Sequence, residues 1–396
     1  MKPNVYIAFV LLLLASTLRA AENPFVELDL KRGEMNFDGL GSVAFSPDSK
    51  KVIASDNRST VLIWEVESGK KLLQLDVPGV RLDCAAFLPD GKRAFTSGSG
   101  IVGNKFTESA CIWDVESGKE LHTLEGRAGL PAFSPLSADG KKVATFDTQN
   151  MQDRVVRIWD TESGKELQKI EGVTGSFFTF SLDGKKIITG ILSSTVHIWD
   201  AEASKELQKL EEPTRMIYFA TFSPDGKTVV TASHEGGRVT EAKKYIIRLW
   251  DAETGKELHR VEDARFAAFA SEGKKVATVG MDEMVRIWDA ASGNVLCRFG
   301  EHVVTVAVSP DGKKVATAKY NSTVQIWDID TGKELHYLEG HMGIAIAANN
   351  KAHPVVAVAF SPDGKKVVSA AHNARRTLLV WDLEQVPPVK QPAEDL

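Results

Sequence analysis

The sequence predicts an all-β fold, an eight-bladed β-propeller of four-stranded antiparallel blades. Three observations support this prediction. Every tryptophan stands in the same short phrase, a phrase of the form Ser-Pro-Asp-Gly-Lys-Lys precedes each of them, and the distance between copies fits four short strands. The eight tryptophans are Trp64, Trp113, Trp159, Trp199, Trp250, Trp288, Trp327 and Trp381.

The acidic residue of the Ser-Pro-Asp-Gly phrase gives the period of the repeat. Successive copies lie 39 to 52 residues apart, at Asp48, Asp90, Asp139, Asp183, Asp225, Glu272, Asp311 and Asp363. Between the phrases lie short β-branched or aromatic segments bounded by turn residues, such as 143–146 and 156–159. Since no stretch shows the sustained spacing of an amphipathic helix, the pattern favours a four-stranded blade over a helical repeat.

The seventh repeat shows how one blade is encoded. We predict strand a over residues 304–309, strand b over 315–318, strand c over 323–328 and strand d over 334–339. Pro310 presets the backbone of the a–b turn and Gly312 permits a positive φ there. Gly332 marks an equally tight c–d turn, so each blade reads as a four-stranded meander.

The two ends of the repeat region decide the number of blades. The eighth repeat stops after strand c, whereas residues 25–30 form an alternating apolar segment without partner strands of their own. We expect this segment to pair as strand d of the last blade, because closure removes two open sheet edges. A seven-bladed ring with one unpaired repeat is the alternative. The propeller then spans residues 24–384, and the Pro-rich, charged residues 385–396 predict a disordered tail.

These features resemble the WD40 repeat family of β-propellers, in an exported form of bacterial type. The resemblance rests on the tryptophan that ends strand c and on the acidic residue after it, which is Glu65 in the first copy and then Asp114, Asp160, Asp200, Asp251, Asp289, Asp328 and Asp382. It implies that these residues are a structural signature. In that family a Gly-His pair and an Asp in the b–c turn complete a hydrogen-bonded group with the tryptophan. Only Gly340-His341 and Asp282 match here, so we expect the blades to depend mainly on packing and turns.

The first twenty residues predict a signal peptide, and hence a periplasmic or extracellular protein. Lys2 precedes an apolar run over residues 5–14, and small residues end the segment at Ala20 and Ala21. The run is too short to cross a bilayer comfortably, although a retained membrane anchor is the alternative. No second hydrophobic span follows, so no membrane span is expected after cleavage.

Charge and cysteine content limit the classes of partner and the source of stability. The chain has 48 basic and 53 acidic residues, a net charge of −5, which argues against a dedicated nucleic-acid binder. Lysine pairs after the a–b turns are balanced by acidic residues in the c–d turns. Cys84 and Cys111 are expected on the first and third strands of one blade, and Cys297 lies in another repeat. This placement predicts three free thiols, because the first and third strands are too far apart for a disulfide.

Loop length carries the functional signal. From the marker acid to its tryptophan the spacing is 16 residues in four repeats, but 23, 20, 25 and 18 in repeats two, three, five and eight. The extra residues fall at 98–108, 147–153, 233–244 and 372–375, and a long d–a connection covers 341–354. In a blade of this topology the b–c and d–a connections share one end of the ring, which we call the loop face. The a–b and c–d turns occupy the other end, the turn face.

Insertions on one face of a repeat array commonly mark its binding side, although neutral loop drift is the alternative reading. The candidate partner-binding residues on the loop face are Lys105, Phe106, Arg154, His234, Arg238, Lys243, Lys244, Tyr245, His341, Lys351, His353, His372, Arg375 and Arg376. Three of them, His341, His353 and His372, could cluster around a metal ion. No carboxylate or cysteine accompanies them at a diagnostic spacing, so no metal site is expected.

We expect a non-catalytic, monomeric scaffold for protein interaction or assembly that needs no cofactor. Its partner would be a protein, an envelope component or a glycan. The enzyme alternatives are a quinoprotein-like oxidoreductase, whose Asp-x-x-Thr-Gly-Lys turn is similar to residues 251–256, and a propeller hydrolase with a carboxylate-lined channel. In the quinoprotein family, however, the tryptophan follows that turn and an adjacent cysteine pair is present. No nucleophile elbow, zinc-protease motif or phosphate-binding loop occurs.

Overall fold

A computed structural model describes residues 25–27, 40–56, 59–77, 80–102, 105–126, 135–147, 155–173, 177–190, 194–212, 216–235, 244–340, 355–371 and 378–389. These residues form eight antiparallel sheets arranged as an eight-bladed propeller. The predicted fold class is therefore confirmed, and the seven-bladed alternative is wrong. The predicted signal peptide lies outside the described residues.

The strands follow one another around the ring in chain order. The first, β1 (Phe25–Glu27), belongs to the last blade. Blade one contains β2 (Leu40–Phe45), β3 (Lys51–Asp56), β4 (Thr60–Glu65) and β5 (Lys71–Asp76); blade two contains β6 (Arg81–Phe87), β7 (Arg93–Val102), β8 (Lys105–Asp114) and β9 (Glu120–Leu124). Blade three contains β10 (Lys142–Asp147), β11 (Val155–Asp160) and β12 (Glu166–Glu171), and blade four contains β13 (Phe177–Phe180), β14 (Lys186–Gly190), β15 (Thr195–Asp200) and β16 (Glu206–Glu211). In blade three, Leu136 bridges to Val143 at the position of strand a.

The second half of the ring repeats this order. Blade five contains β17 (Met216–Phe222), β18 (Thr228–Glu235), β19 (Lys244–Asp251) and β20 (Glu257–Glu262). Blade six contains β21 (Ala264–Ala270), a short 3-10 turn (Ser271–Gly273), β22 (Lys275–Gly280), β23 (Val285–Asp289) and β24 (Val295–Phe299). Blade seven contains β25 (Val303–Val308), β26 (Lys314–Lys319), β27 (Thr323–Asp328) and β28 (Glu334–Glu339), and blade eight contains β29 (Val355–Phe360), β30 (Lys366–Ala371), β31 (Leu378–Asp382) and β1.

Strand β1 closes the ring as predicted. Phe25 pairs with Trp381, so that β1 lies beside β31 as the fourth strand of blade eight. Val26 also packs against the core that joins blade eight to blade one, in which Val368 and Trp64 are both buried. Closure therefore involves both the sheet and the apolar core.

Apolar residues of neighbouring blades form the core at each junction. Ile53 of blade one and Phe87 of blade two share one cluster, and Phe95 and Phe146 share the next. Further clusters join blades four to six, six to seven and seven to eight. The core is thus a continuous ring between blades, as expected for repeats that cannot bury their faces alone.

Seven tryptophans donate to strand b rather than to the His or Asp of the group that the WD40 resemblance implies. In seven blades the indole N–H donates to a Thr or Ser hydroxyl on strand b at 2.7–2.9 Å. In blade one Ala54 occupies the corresponding position, and the buried Trp64 N–H has no partner among the described residues. Asp282 accepts from Arg286 at 2.9 Å rather than completing the group. The blades therefore depend on these hydrogen bonds as well as on the expected packing and turns.

The a–b turns of six blades share one hydrogen-bonding pattern. In blade seven Asp311 accepts from the Ser309 hydroxyl at 2.5 Å and from the Lys313 backbone N–H at 3.0 Å. Gly312 adopts a φ of +67°, and a Cβ at this position would overlap the backbone of Ser271 in blade six. The glycine is therefore required both by the turn and by the close approach of the neighbouring blade.

The three cysteines are free, as predicted. Cys84 and Cys111 lie in strands β6 and β8 of the same blade, separated by β7. Burial raises the pKa of the Cys111 thiol to about 11, so this thiol stays protonated at neutral pH.

The beginning of the C-terminal tail is attached to blade seven. Val386 is buried in the core between blades seven and eight, and the Val389 backbone N–H donates to the Leu335 carbonyl at 3.0 Å. The expected disorder from residue 385 onward therefore does not hold for residues 385–389. Residues 390–396 lie outside the described residues.

Candidate partner-binding face

The insertion in blade two is a two-stranded hairpin on the loop face. Strands β7 and β8 are ten residues long and pair with each other as far as Val102 and Lys105. Strand β6 pairs with β7 only up to Ser99, and β9 pairs with β8 only up to Ala110. The end of the hairpin therefore extends beyond both flanking strands of its blade.

The end of this hairpin exposes large apolar side chains. Ile101 is 72% exposed, Phe106 50% and Val102 48%, and Lys105 is exposed beside them. Ile101 and Phe106 are opposite each other in the register, so they share one face of the hairpin. Contiguous exposed apolar side chains of this kind mark interaction sites. The sequence prediction included Lys105 and Phe106 but missed Ile101 and Val102.

A recognisable signal could have identified the two missed residues. Gly103-Asn104 separates Ile101-Val102 from Lys105-Phe106, and a Gly-Asn pair between two β-prone segments is typical of a hairpin.

The insertion in blade five begins as a second long hairpin. Strands β18 and β19 pair as far as Glu235 and Lys244. At its base the rings of Tyr218, His234 and Tyr245 form a cluster with centroids 5.8–6.1 Å apart. The structure thus brings together two predicted site residues, His234 and Tyr245, and adds Tyr218 from strand a. Aromatic rings with polar groups are enriched in protein interfaces.

A buried polar network lies beneath this aromatic cluster. The fully buried Glu212 carboxylate accepts from the Thr231 hydroxyl at 2.6 Å and from the Ser233 hydroxyl at 2.5 Å, and it also pairs with Arg248. Thr231 in turn accepts from the Trp250 indole at 2.9 Å. If Glu212 and Arg248 separated, each would be left as a buried charge without a partner, which is costly. The network therefore holds the base of the hairpin in one arrangement. Glu212 follows strand d without any motif, so no sequence pattern distinguishes it.

The hydroxyl of Tyr218 is a fixed hydrogen-bond donor at the same site. It donates to the Arg265 backbone carbonyl at 2.7 Å, and Arg265 donates to the Val303 carbonyl at 2.8 Å. Burial raises the pKa of Tyr218, so the phenol remains neutral. The Tyr218 hydroxyl is therefore neutral and already bonded within the propeller.

The other predicted site residues are not placed by the structure. Lys244 is described only as part of the β19 backbone. Arg154, Arg238, Lys243, His341, Lys351, His353, His372, Arg375 and Arg376 lie outside the described residues. The three histidines of the metal hypothesis are among them. Within the described ranges, no group of three or more His, Cys, Asp or Glu residues is arranged to hold a metal ion.

The central channel contains an apolar cavity of about 630 Å³ near the turn face. Phenylalanines from three successive blades supply most of its aromatic lining, and the polar side chains of the described lining are hydroxyls. The lining includes Thr179, Phe180, Leu182, Phe219, Thr221, Phe222, Pro224, Phe266, Phe269 and Pro310. No carboxylate or imidazole belongs to this described lining, so it offers no general acid or base of the kind that a hydrolase needs.

Comparison with known families accounts for this architecture. A family model described as "Outer membrane protein assembly factor BamB" matches residues 48–336, well over half of the chain. The chain belongs to this BamB family of propellers. A second model, "WD domain, G-beta repeat", matches residues 332–382, which confirms the WD40 resemblance.

Solved structures share the fold of this BamB-family chain. The computationally designed Ika8 protein is 22% identical with a TM-score of 0.66, covering 88% of this chain and 98% of Ika8. The C-terminal WD40 domain of Sif2 is 18% identical with a TM-score of 0.67, covering 90% of this chain and 97% of that domain. These similarities show the fold alone. No curated protein sequence matches the chain.

The turn face of this BamB-family propeller largely compensates its own charges. Lys142 pairs with Glu202 of the next blade at 3.1 Å, and Lys275 pairs with Asp330. These contacts neutralise lysine charges that would otherwise be available to bind a polyanion. Among the helical residues that the structure describes, none forms a helix with the length and hydropathy needed to span a bilayer.

Proposed function

We propose that the protein is an exported, non-catalytic scaffold that holds a partner protein on its loop face. The hairpin of blade two carries this proposal. It extends beyond the flanking strands of its blade and exposes Ile101, Val102 and Phe106. The aromatic cluster at the base of the blade five hairpin supplies a second contact area.

The chemistry of the hairpin favours a protein partner over a glycan. Two aliphatic side chains and one phenyl ring offer no arrangement of polar groups for sugar hydroxyls, whereas aromatic and aliphatic anchors typify the centre of protein interfaces. The family description, an assembly factor of the outer membrane, supports an envelope protein as the partner. The signal-like residues 1–20 agree with a location outside the cytoplasm.

Site-specific photo-crosslinking tests the proposed face. A photoreactive amino acid at Phe106 is expected to crosslink one protein in the cell envelope, and the same group at Leu182 on the turn face is the matched control. Leu182 is 59% exposed, so both positions are accessible. Equal crosslinking at the two positions, or crosslinking of glycan alone at Phe106, would contradict the proposal.

A double variant tests whether the apolar side chains provide the affinity. Replacing Ile101 and Phe106 by Ser should lower partner capture by more than about tenfold, because buried aromatic anchors typically dominate binding energy. The matched variant Leu182→Ser should capture normally. Capture that survives the double change would place the interface elsewhere.

The intact mass of the mature protein tests whether the signal segment is removed on export. The mature protein, purified from the source cells, should begin at Ala21 by intact mass, with cleavage after Ala20. A full-length chain recovered from the cytoplasm would contradict export without affecting the interaction proposal.

The non-catalytic role is testable by absorbance spectroscopy. Protein purified from its natural compartment should show only the aromatic absorption band of its tryptophans and tyrosines. A bound chromophore at longer wavelength would instead favour the quinoprotein-like oxidoreductase.

A further inference from the structure

Seven of the outermost strands carry the same β-bulge. In each bulge, the strand-c tryptophan pairs with one residue of strand d, and the residue before the tryptophan pairs with the strand-d residue two positions further along. The strand-d residue between these two has no partner in strand c. This residue is always leucine, namely Leu72, Leu121, Leu167, Leu207, Leu258, Leu296 and Leu335. Six of these bulge leucines are 41–49% exposed, whereas Leu335 is only partly exposed.

The chain itself covers the bulge leucine of blade seven. After the eighth repeat, the tail crosses to the outer edge of β28, where the Val389 N–H donates to the Leu335 carbonyl at 3.0 Å. Val386 packs in the same cluster as Leu335. The neighbouring His336 ring lies close to the backbone of Val386 and Pro387. The outer edge of a blade therefore accepts an extended aliphatic segment.

The bulge explains why a proline-containing segment fits this edge. A bulge interrupts the regular ladder and so discourages pairing with an ordinary strand. Proline has no backbone N–H, so a Val-Pro-Pro-Val segment cannot form a continuous ladder in any case. Such a segment can instead bind the bulged edge of strand d through one N–H···O bond and through contacts between aliphatic side chains.

Blade two repeats these side chains, and although its His122 ring hydrogen-bonds to the Glu162 carbonyl of blade three at 2.8 Å, Leu121 stays exposed. Leu121 and His122 occupy the repeat positions of Leu335 and His336. They border a cavity of about 550 Å³ at the junction with blade three, whose described lining is Asp90, Arg93, Leu121, His122 and Glu162. Leu121 is 44% exposed.

The charges of this notch indicate which segment would fit. Two carboxylates and one guanidinium line it, and Arg93 already binds Asp90 at 2.7 Å and the Thr161 carbonyl at 2.6 Å. A cationic residue beside the aliphatic segment would therefore meet the excess negative charge. In the chain's own tail Lys390 follows Val389.

We propose that the notch at Leu121 and His122 binds an extended, proline-containing aliphatic segment of a partner protein, followed by a basic residue. The segment would donate one backbone N–H to the Leu121 carbonyl and place aliphatic side chains on the exposed leucine. This site lies on the outer edge of the ring, away from the loop face, and does not depend on the function proposed above.

A peptide with the sequence of residues 385–396 is the probe, titrated by calorimetry into the full chain without its signal segment. One saturable site is expected, because the attached tail already occupies blade seven, and because beside Leu258 and His259 of blade five Ala291 replaces the Glu162 carboxylate that would meet the basic residue. Deleting residues 386–396 should raise the number of sites to two. Leu121→Glu should remove the blade two site, with affinity falling by more than about tenfold.

The matched variant Leu167→Glu changes the bulge leucine of blade three, which is 47% exposed and has Gln168 in place of the histidine. It should bind as the unchanged chain does. Because both leucines are exposed, thermal unfolding should show that both variants fold.

Absence of saturable binding, or an equal loss in both variants, would overturn the proposal. So would undiminished binding of a peptide in which both valines are replaced by Asp. If the chain with its tail dimerises in sedimentation experiments, and both Leu121→Glu and deletion of residues 386–396 abolish the dimer, the occupant is the tail of a second copy, and the assignment to a foreign partner is wrong.

Discussion

The two faces of the propeller are built under opposite constraints. On the turn face, the a–b turns of several blades pack closely on the preceding blade, as Gly312 does on Ser271, and the same Ser-Asp hydrogen bond recurs in six blades. On the loop face, the hairpin of blade two extends beyond its neighbours and exposes Ile101 and Phe106. Turn chemistry, with contact between neighbouring blades in several places, thus constrains the turn face, whereas the loop face is free to vary.

The largest effect should follow from disturbing a contact of the turn face. Gly312→Ala adds a Cβ at a positive φ and against the Ser271 backbone, so we expect a loss of at least about 3 kcal/mol in the free energy of unfolding. Gly226→Ala is the matched control, because Gly226 has a φ of +69° but nothing within 4 Å of the added Cβ. It should lose only about 1 kcal/mol. Equal losses in urea unfolding would show that the turn, and not the contact between blades, fixes this face.

The next effect tests the strands that connect the two faces. Thr96→Val keeps the side-chain shape but leaves the buried Trp113 N–H without its acceptor at 2.8 Å, which should cost about 1–3 kcal/mol. Blade one provides the reverse experiment, since Ala54→Ser would offer the unpaired Trp64 N–H an acceptor. That change should stabilise the protein by about 1 kcal/mol in the same unfolding assay. A neutral Thr96→Val variant would show that packing alone holds the tryptophans.

A smaller effect, with a defined pH dependence, is expected at the turn aspartates. Burial raises the pKa of Asp311, but hydrogen bonds from Ser309 and the Lys313 N–H, with the charges of Lys314 and Lys313, outweigh it and lower the pKa below 3.8. Because the folded pKa is below the unfolded one, the carboxylate stabilises the fold above pH 3.8, and this contribution disappears as pH falls through the folded value.

Asp311→Asn should therefore cost about 0.5–1.5 kcal/mol at neutral pH. The difference from the unchanged chain should shrink in urea unfolding below pH 3.8. A difference that persists in acid would show that the carboxylate charge contributes nothing at this turn.

The two faces also differed in how well the sequence predicted them. Period and turn chemistry are local, so the strands of the seventh repeat were predicted closely, and β27 (Thr323–Asp328) and β28 (Glu334–Glu339) have the predicted bounds. Ring closure by β1 followed from the unpaired apolar segment at the start of the repeats. These features depend on residues close together in the chain or on a simple count of strands.

The candidate site was less predictable because its parts meet only in space. Loop length identified the blade two insertion, but not that it is a hairpin exposing Ile101. Glu212, which joins Thr231 to Arg248, has no local signature because its partners come from two other strands. The bulge leucines were likewise hidden, since a leucine in strand d looks like a core residue until the register is known.

The smallest effect on stability is expected at the end of the blade two hairpin, and it is the sharpest test of the comparison. Replacing Ile101 and Phe106 by Ser should change the free energy of unfolding by no more than about 0.5 kcal/mol, because both side chains are at least half exposed. Ile112→Ser, in the same strand β8 but fully buried, should cost more than about 2 kcal/mol. If the double variant at the hairpin end were as unstable as Ile112→Ser, its apolar side chains would belong to the fold rather than to a partner. The loop face would then be constrained by stability in the same way as the turn face.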